Sequence, residues 1–249
     1  MLTVHLRFCC LPAQRDPSRD DALTALLSPL ERERCARLPG AHAARAMETR
    51  ALVRTELATA LEVDPATLAF VAGVHGKPAV LDPPHPIAFN LSHSGDWAVL
   101  AWHTARCAAP LGVDIEHRGP RERDVMRLAR RFFSRPEQAA LEAVAGDARD
   151  ALFYRLWTLK EAWIKAHGLA LAPQLGSVAF GFHEAALHVA NSSDYATGRL
   201  LHGEPATGVW ASLCLLGEES RRANLDAQVG RPFDEWSTMS LRGWCGSLA

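Results

Sequence analysis

Two long helix-forming stretches, residues 41–62 and 148–168, stand in opposite halves of the chain, each among short strand-forming runs. Helices of that length bury an apolar face and short strands must pair. The pattern therefore confines the chain to an α+β architecture of two lobes of similar size. In the first half, residues 2–8 alternate as a strand, and 22–37 are helical, with Ser28-Pro29 opening a second helix. Residues 41–62 carry Ala44, Met47, Ala51 and Leu52 near one face, and 67–71 form a short strand. A loop at 76–86 precedes two strands, 87–92 and 97–103, joined by His93-Ser94-Gly95-Asp96 as a hairpin. The second half begins after Ala108-Ala109-Pro110 with a strand at 111–117. Helices follow at 122–131, at 135–144 (Ser134 and Glu137 making a capping box) and at 148–168. Short strands near 177–181, 185–190 and 207–215 precede a tail. The expected division is a first lobe over 1–108 and a second, with the tail, over 109–249.

Charge narrows the function classes. The 27 basic and 28 acidic residues leave a net charge of −1, which excludes a wholly basic nucleic-acid binder. No apolar run approaches the roughly 20 residues of a membrane span, and the opening MLTVHLRF has no leader pattern. The cysteines at 9, 10, 35, 107, 214 and 245 show no CxxC spacing and read as free thiols. A cytoplasmic monomer that needs neither nucleic acid nor membrane is the expectation. Only three of the 27 basic residues are lysines: Lys77, Lys160 and Lys165. Arginine serves wherever a bare positive charge suffices, so the lysines point to places needing a compact charge or a removable proton.

Four constellations carry chemistry. In Gly112-Val113-Asp114-Ile115-Glu116, strand alternation puts both carboxylates on one face and Val113 and Ile115 on the other. Such a pair suits a hard divalent cation, and equally a solvated edge strand. In Trp157-Thr158-Leu159-Lys160-Glu161-Ala162-Trp163-Ile164-Lys165, helical spacing stacks Trp157, Glu161 and Lys165 on one face. Glu161 and Lys165 could be a base or metal ligand beside an acid, or an ordinary surface pair. The apolar residues around them imply burial, and buried charges need partners. In Phe89-Asn90-Leu91-Ser92-His93-Ser94 a serine-histidine-aspartate triad fails, because adjacent Ser92 and His93 face opposite ways and no nucleophile elbow is present. A turn rich in hydroxyls suits phosphate instead. The fourth constellation is basic: Arg32, Arg34, Arg37, Arg45, Arg50 and Arg54, with Lys77 in a Gly-Lys-Pro loop.

Taken in this order, Gly76–Pro78, Phe89–Ser94, Leu111–Glu116 and Phe153–Lys165, with Arg131-Phe132-Phe133-Ser134 and Glu137 between, resemble the Sfp-type 4′-phosphopantetheinyl transferases. The resemblance runs from about residue 23 to about 175. It implies two pseudo-twofold-related lobes, each a small antiparallel sheet packed on a long helix, with coenzyme A between them. It also implies transfer of the phosphopantetheine arm to a serine of an apo acyl or peptidyl carrier protein, releasing adenosine 3′,5′-bisphosphate. By resemblance, Asp114, Glu116 and Glu161 hold Mg²⁺ (or Mn²⁺), Glu161 is the base, and Lys165 neutralises or protonates the departing phosphate. Arg34, Arg45, Lys77, Ser92 and His93 match positions that hold coenzyme A. The chain departs from close relatives in having Glu31 where they carry a lysine. A coenzyme A or nucleotide binder without chemistry, and a metal-dependent phosphohydrolase, compete with this reading.

Overall fold

The computed structural model describes residues 2–12, 16–73, 75–105, 109–119, 123–170, 174–183, 186–189, 198–231, 236–241 and 244. Its first strand, β1 (Thr3–Cys10), leads into α1 (Pro17–Leu26), α2 (Pro29–Ala36) and the long α3 (Gly40–Leu61). Ser28 caps α2 reciprocally with Glu31, as the sequence requires. The hairpin of β2 (Phe70–Ala72) and β3 (Pro78–Val80) places a strand inside the expected loop. Next come β4 (Ala88–Ser94) and β5 (Trp97–His103), joined by Gly95 and Asp96 alone. His93 and Ser94 thus lie in strand rather than turn. Gly95, at φ +56°, turns the chain where a Cβ would also lie 2.7 Å from the His117 ring.

In the second half, β6 (Leu111–His117), α4 (Val125–Phe132), α5 (Arg135–Glu142) and the long α6 (Gly146–Ala166) match the expected order. After them come β7 (Phe180–His183), β8 (Ala186–Val189), β9 (Gly198–Ala206), β10 (Val209–Leu216), β11 (Asn224–Gly230) and β12 (Ser237–Thr238). The junction residues 106–108, residue 122, residues 184, 185 and 190, Cys107 and Cys245 lie outside the described residues. Cys9, Cys10, Cys35 and Cys214 are free.

Strand order β12-β11-β1-β5-β4 makes one sheet and β6-β10-β9 a second. In the first, β11 runs parallel to β1, so this sheet is mixed rather than wholly antiparallel. Alternating side chains build four layers. From β5, Ala98, Leu100 and Trp102 pack on Leu52, Leu57 and Leu61 of α3, whereas Val99 and Ala101 face the other sheet. From β10, Val209, Ala211, Leu213 and Leu215 join that shared core, whereas Trp210, Cys214 and Leu216 pack on α6. A strand covered on both faces is apolar along nearly its whole length, as VWASLCLL is apart from Ser212.

Strand β6 and helix α6 approach each other closely. A Cβ on Gly112 would lie 2.1 Å from the Ala162 carbonyl oxygen and 2.4 Å from the Ala166 amide nitrogen. Those neighbours are backbone and cannot swing aside, so only glycine lets the strand sit this near the helix. Gly112→Ala should force the two apart. Urea denaturation should show a loss of about 1–3 kcal/mol, the usual penalty of overpacking.

Candidate active site

The edges of the two sheets meet along β4 and β6, where side chains do what ladder hydrogen bonds do elsewhere. Asn90, Ser92 and Ser94 alternate along β4 and therefore share a face. The Val113 amide donates to Asn90 Oδ1 at 2.8 Å, and Ser92 Oγ donates to Asp114 Oδ1 at 2.7 Å. Ser94 Oγ donates to Glu116 Oε2 at 2.8 Å and accepts from the His117 amide at 3.2 Å. The Asn-x-Ser-x-Ser pattern is thus a polar zipper that fixes where the β6 carboxylates lie.

Val113 and Ile115 enter the shared core, which turns Asp114 and Glu116 toward α6. From α6, Glu161 and Lys165 project one turn apart. Ligand oxygens of Asp114, Glu116 and Glu161 all lie within 4.8 Å of one another. Asp114 is only 2% exposed, so it belongs to no solvated edge. Lys165 Nζ lies 2.6 Å from Asp114 Oδ1, 3.3 Å from Glu161 Oε2 and 3.2 Å from Ser92 Oγ. Arg123 reaches Glu116 from outside, at 3.4 Å.

Crowding carboxylates in a desolvated space shifts the protonation of Glu161 and Glu116. Burial, then the neighbouring Asp114, pushes the Glu161 carboxyl up to about 8. The same two causes raise Glu116. Burial opposes the charge on Lys165, but Asp114 and Glu161 outweigh it and raise the ammonium above its ordinary range. Asp114 Oδ2 is buried without a hydrogen-bond partner. An oxygen-only donor set with an orphaned acceptor fits a hard divalent cation such as Mg²⁺.

The other residues singled out by sequence are placed as follows. Ser92 joins the cluster. His93, next along the strand, is exposed. Burial of part of its ring, then the Lys165 and Arg50 charges, hold that imidazole below the usual histidine range. Arg45 pairs with Asp96 in the β4–β5 turn and donates to the Pro12 carbonyl. Arg34 is exposed on α2, with no hydrogen bond or ion pair among the described residues. Lys77 donates to two backbone carbonyls, those of Leu111 at 2.6 Å and Lys165 at 2.9 Å. Glu31 receives the buried Arg54 at 2.8 Å as well as capping α2. Trp157 leaves the cluster for Phe132, Phe133 and Phe153.

Lys160 is not part of the site. It is fully buried, pairs with Glu137 at 2.9 Å and donates to the carbonyls of Leu175 and Val178. Sequence reasoning assigned no role to Asn90, Ser94 or Arg123. The period-two polar run on β4 was the signal for the first two; Arg123 has none.

Comparison with known proteins agrees with this geometry. Residues 110–223 match a family model described as the 4'-phosphopantetheinyl transferase superfamily, and residues 14–105 one described as 4'-phosphopantetheinyl transferase, N-terminal. The 4'-phosphopantetheinyl transferase Sfp of Bacillus subtilis is 33% identical over 168 residues, 66% of this chain and 70% of the relative. The 4'-phosphopantetheinyl transferase ffp of Bacillus subtilis is 35% identical over 167 residues, again 66% and 70%. The 4'-phosphopantetheinyl transferase HetI of a Nostoc species is 33% identical over 175 residues, 69% and 72%.

The raised Glu161 gives a pH signature. Its folded value near 8 lies above the ordinary 4.5, so the folded state holds the extra proton between them. Its contribution to stability is full below about pH 4.5 and is lost as the pH rises toward 8. Thermal denaturation in metal-free buffer should show the wild type losing stability over that window relative to Glu161→Gln, with the variant the more stable of the two at pH 8.

Proposed function

Because the chain belongs to the 4'-phosphopantetheinyl transferase superfamily, we propose that it moves the phosphopantetheine arm of coenzyme A to a serine of an apo acyl or peptidyl carrier protein. The observation that carries this reading is the convergence of Asp114, Glu116, Glu161 and Lys165 where β6 crosses α6. Transfer of a phosphoryl-linked group needs positioning and charge neutralisation more than covalent help.

Asp114, Glu116 and Glu161 are the residues that would hold Mg²⁺, with Mn²⁺ as a substitute. Bound there, the ion would neutralise the pyrophosphate and the charge that develops on it. Glu161 in its ionised form takes the proton from the carrier serine, and the serine oxygen attacks the phosphorus that bears the pantetheine arm. The bond from that phosphorus to the bridging oxygen breaks, and adenosine 3′,5′-bisphosphate leaves with the bond's electron pair. Lys165 meets the charge formed on the leaving phosphate. As an ammonium it can also supply a proton, which a guanidinium cannot.

Ser92 and His93 offer a hydroxyl and an imidazole beside the cluster, and Arg45 and Arg34 offer cations from α3 and α2. Together they are assigned to the phosphates and the adenine end of coenzyme A. Lys77 contributes through the loop it occupies, its ammonium being engaged by backbone. Arg127, Arg130 and Arg131 stand exposed on α4, and Arg123, just before that helix, reaches Glu116. In this reading the lobes are 1–108 and 109–249, with β11 and β12 returning to the first sheet. Among the described residues no helix is long and apolar enough to cross a membrane.

The test combines the protein, coenzyme A, Mg²⁺ and an apo carrier, and weighs the carrier by mass spectrometry. A phosphopantetheine adduct is expected, and chelation of the metal should stop its formation. Glu161→Gln should reduce transfer by about 10²-fold or more, within the range a positioned base supplies, while coenzyme A still binds. Cleavage of coenzyme A without an adduct would establish a hydrolase, and binding without either would establish a non-catalytic binder.

A further inference from the structure

Lys77 belongs to the first half of the chain, yet its ammonium is spent on the second. The turn that carries it is tight: the Gly73 amide donates to the Lys77 carbonyl at 2.8 Å and the Gly76 amide to the Gly73 carbonyl at 2.9 Å, with Gly76 at φ +80°. Pro78 then enters β3 opposite Ala72. From this anchored base the side chain reaches the carbonyls of Leu111 and Lys165. Burial holds the ammonium near 8, well below the ordinary lysine value, and the fully buried Cys214 lies beside it.

The two carbonyls are not arbitrary. Leu111 immediately precedes Gly112, the glycine that lets β6 touch α6. Lys165 sits in the last turn of α6, and its carbonyl also accepts the Gly168 amide at 3.2 Å. A cation there satisfies an end-of-helix carbonyl and meets the negative end of the helix dipole. The Lys165 carbonyl is therefore tied by Lys77, while the Lys165 side chain is tied by Asp114 and Glu161.

We propose that Lys77 is a positioning residue, an ammonium bolt from the first lobe that fixes the crossing of β6 and α6 and so aims Lys165 and Glu161, rather than a ligand of coenzyme A phosphate. The proposal rests on the transferase reading for its kinetic consequence, but not for its structural one. The compact ammonium suits the place: two carbonyls converge on one nitrogen, whereas the planar guanidinium of arginine spreads its donors.

The variants are Lys77→Met, Lys77→Gln and Lys77→Arg. Transfer to an apo carrier gives kcat, titration calorimetry gives coenzyme A affinity, and hydrogen exchange of the free protein follows the Gly168 and Leu169 amides. For Lys77→Met we expect kcat to fall about tenfold or more, as small misplacements of reacting groups do, with coenzyme A affinity changed by no more than about twofold. Exchange at the end of α6 should quicken. Lys77→Arg should fail to restore kcat. If Lys77→Met does not fold, Lys77→Gln, which keeps donors without charge, carries the same measurements. A coenzyme A affinity weakened about tenfold and restored by Lys77→Arg, with exchange unchanged, would overturn the proposal, since that is how a phosphate ligand behaves. If the wild type makes no adduct, the transferase reading fails, and exchange with coenzyme A titration still decides the role of Lys77.

Discussion

The contact between Gly112 and the backbone of α6 governs what the rest of the molecule can do. Remove the possibility of that approach and the β6 carboxylates recede from Glu161 and Lys165. Its cost is electrostatic. Three carboxylates held within 4.8 Å repel one another, and in a desolvated space the repulsion is strong. Lys165, lodged between Asp114 and Glu161, offsets part of it, and the proton retained by Glu161 offsets more. Asp114 Oδ2 is still left without a partner. The arrangement is short of positive charge by construction, and a site short of positive charge attracts a cation.

The surrounding fold holds that unfavourable cluster in place from three directions. Apolar packing of Val113 and Ile115 sets the face on which the carboxylates emerge. The Asn90-Ser92-Ser94 zipper sets the height of β6 against β4. Lys160 ties α6 to Glu137 and to the carbonyls of Leu175 and Val178, and on the face toward the sheet Thr158 and Ser212 share a hydrogen bond at 2.8 Å. The helix that carries the reactive pair is thus gripped along its length.

How much of this a sequence reveals depends on what the partners are. Alternation in β6 and the spacing of Glu161 and Lys165 are readable, because strand and helix periods are local geometry. The helix starts at Ser28 and Ser134 are readable because a capping box is complete within four residues. The roles of Lys77 and Lys160 are not, because each binds backbone carbonyls, which every residue possesses. Scarcity of lysine drew attention to both, and the structure supplies the reason: a single nitrogen meeting several converging acceptors. Trp157 shares the helical face of Glu161 by spacing but follows its aromatic neighbours, a choice that depends on α4 and α5. β9 and β11 escaped notice because glycine, proline and polar residues blur their alternation, and β11 pairs with a strand from the other end of the sequence.

That last pairing bears on how the molecule is made. His5 of β1 meets Asp226 of β11 across 221 residues, and Arg7 reaches the same carboxylate. During synthesis β1 has its β5 neighbour early, but its other edge stays open until β11 leaves the ribosome. The first lobe therefore cannot mature ahead of the second. Closing so long a loop is a slow, non-local event, and an unpaired strand edge invites misassembly while it waits. Nascent chains of this design should depend on whatever shields that edge until β11 is in place.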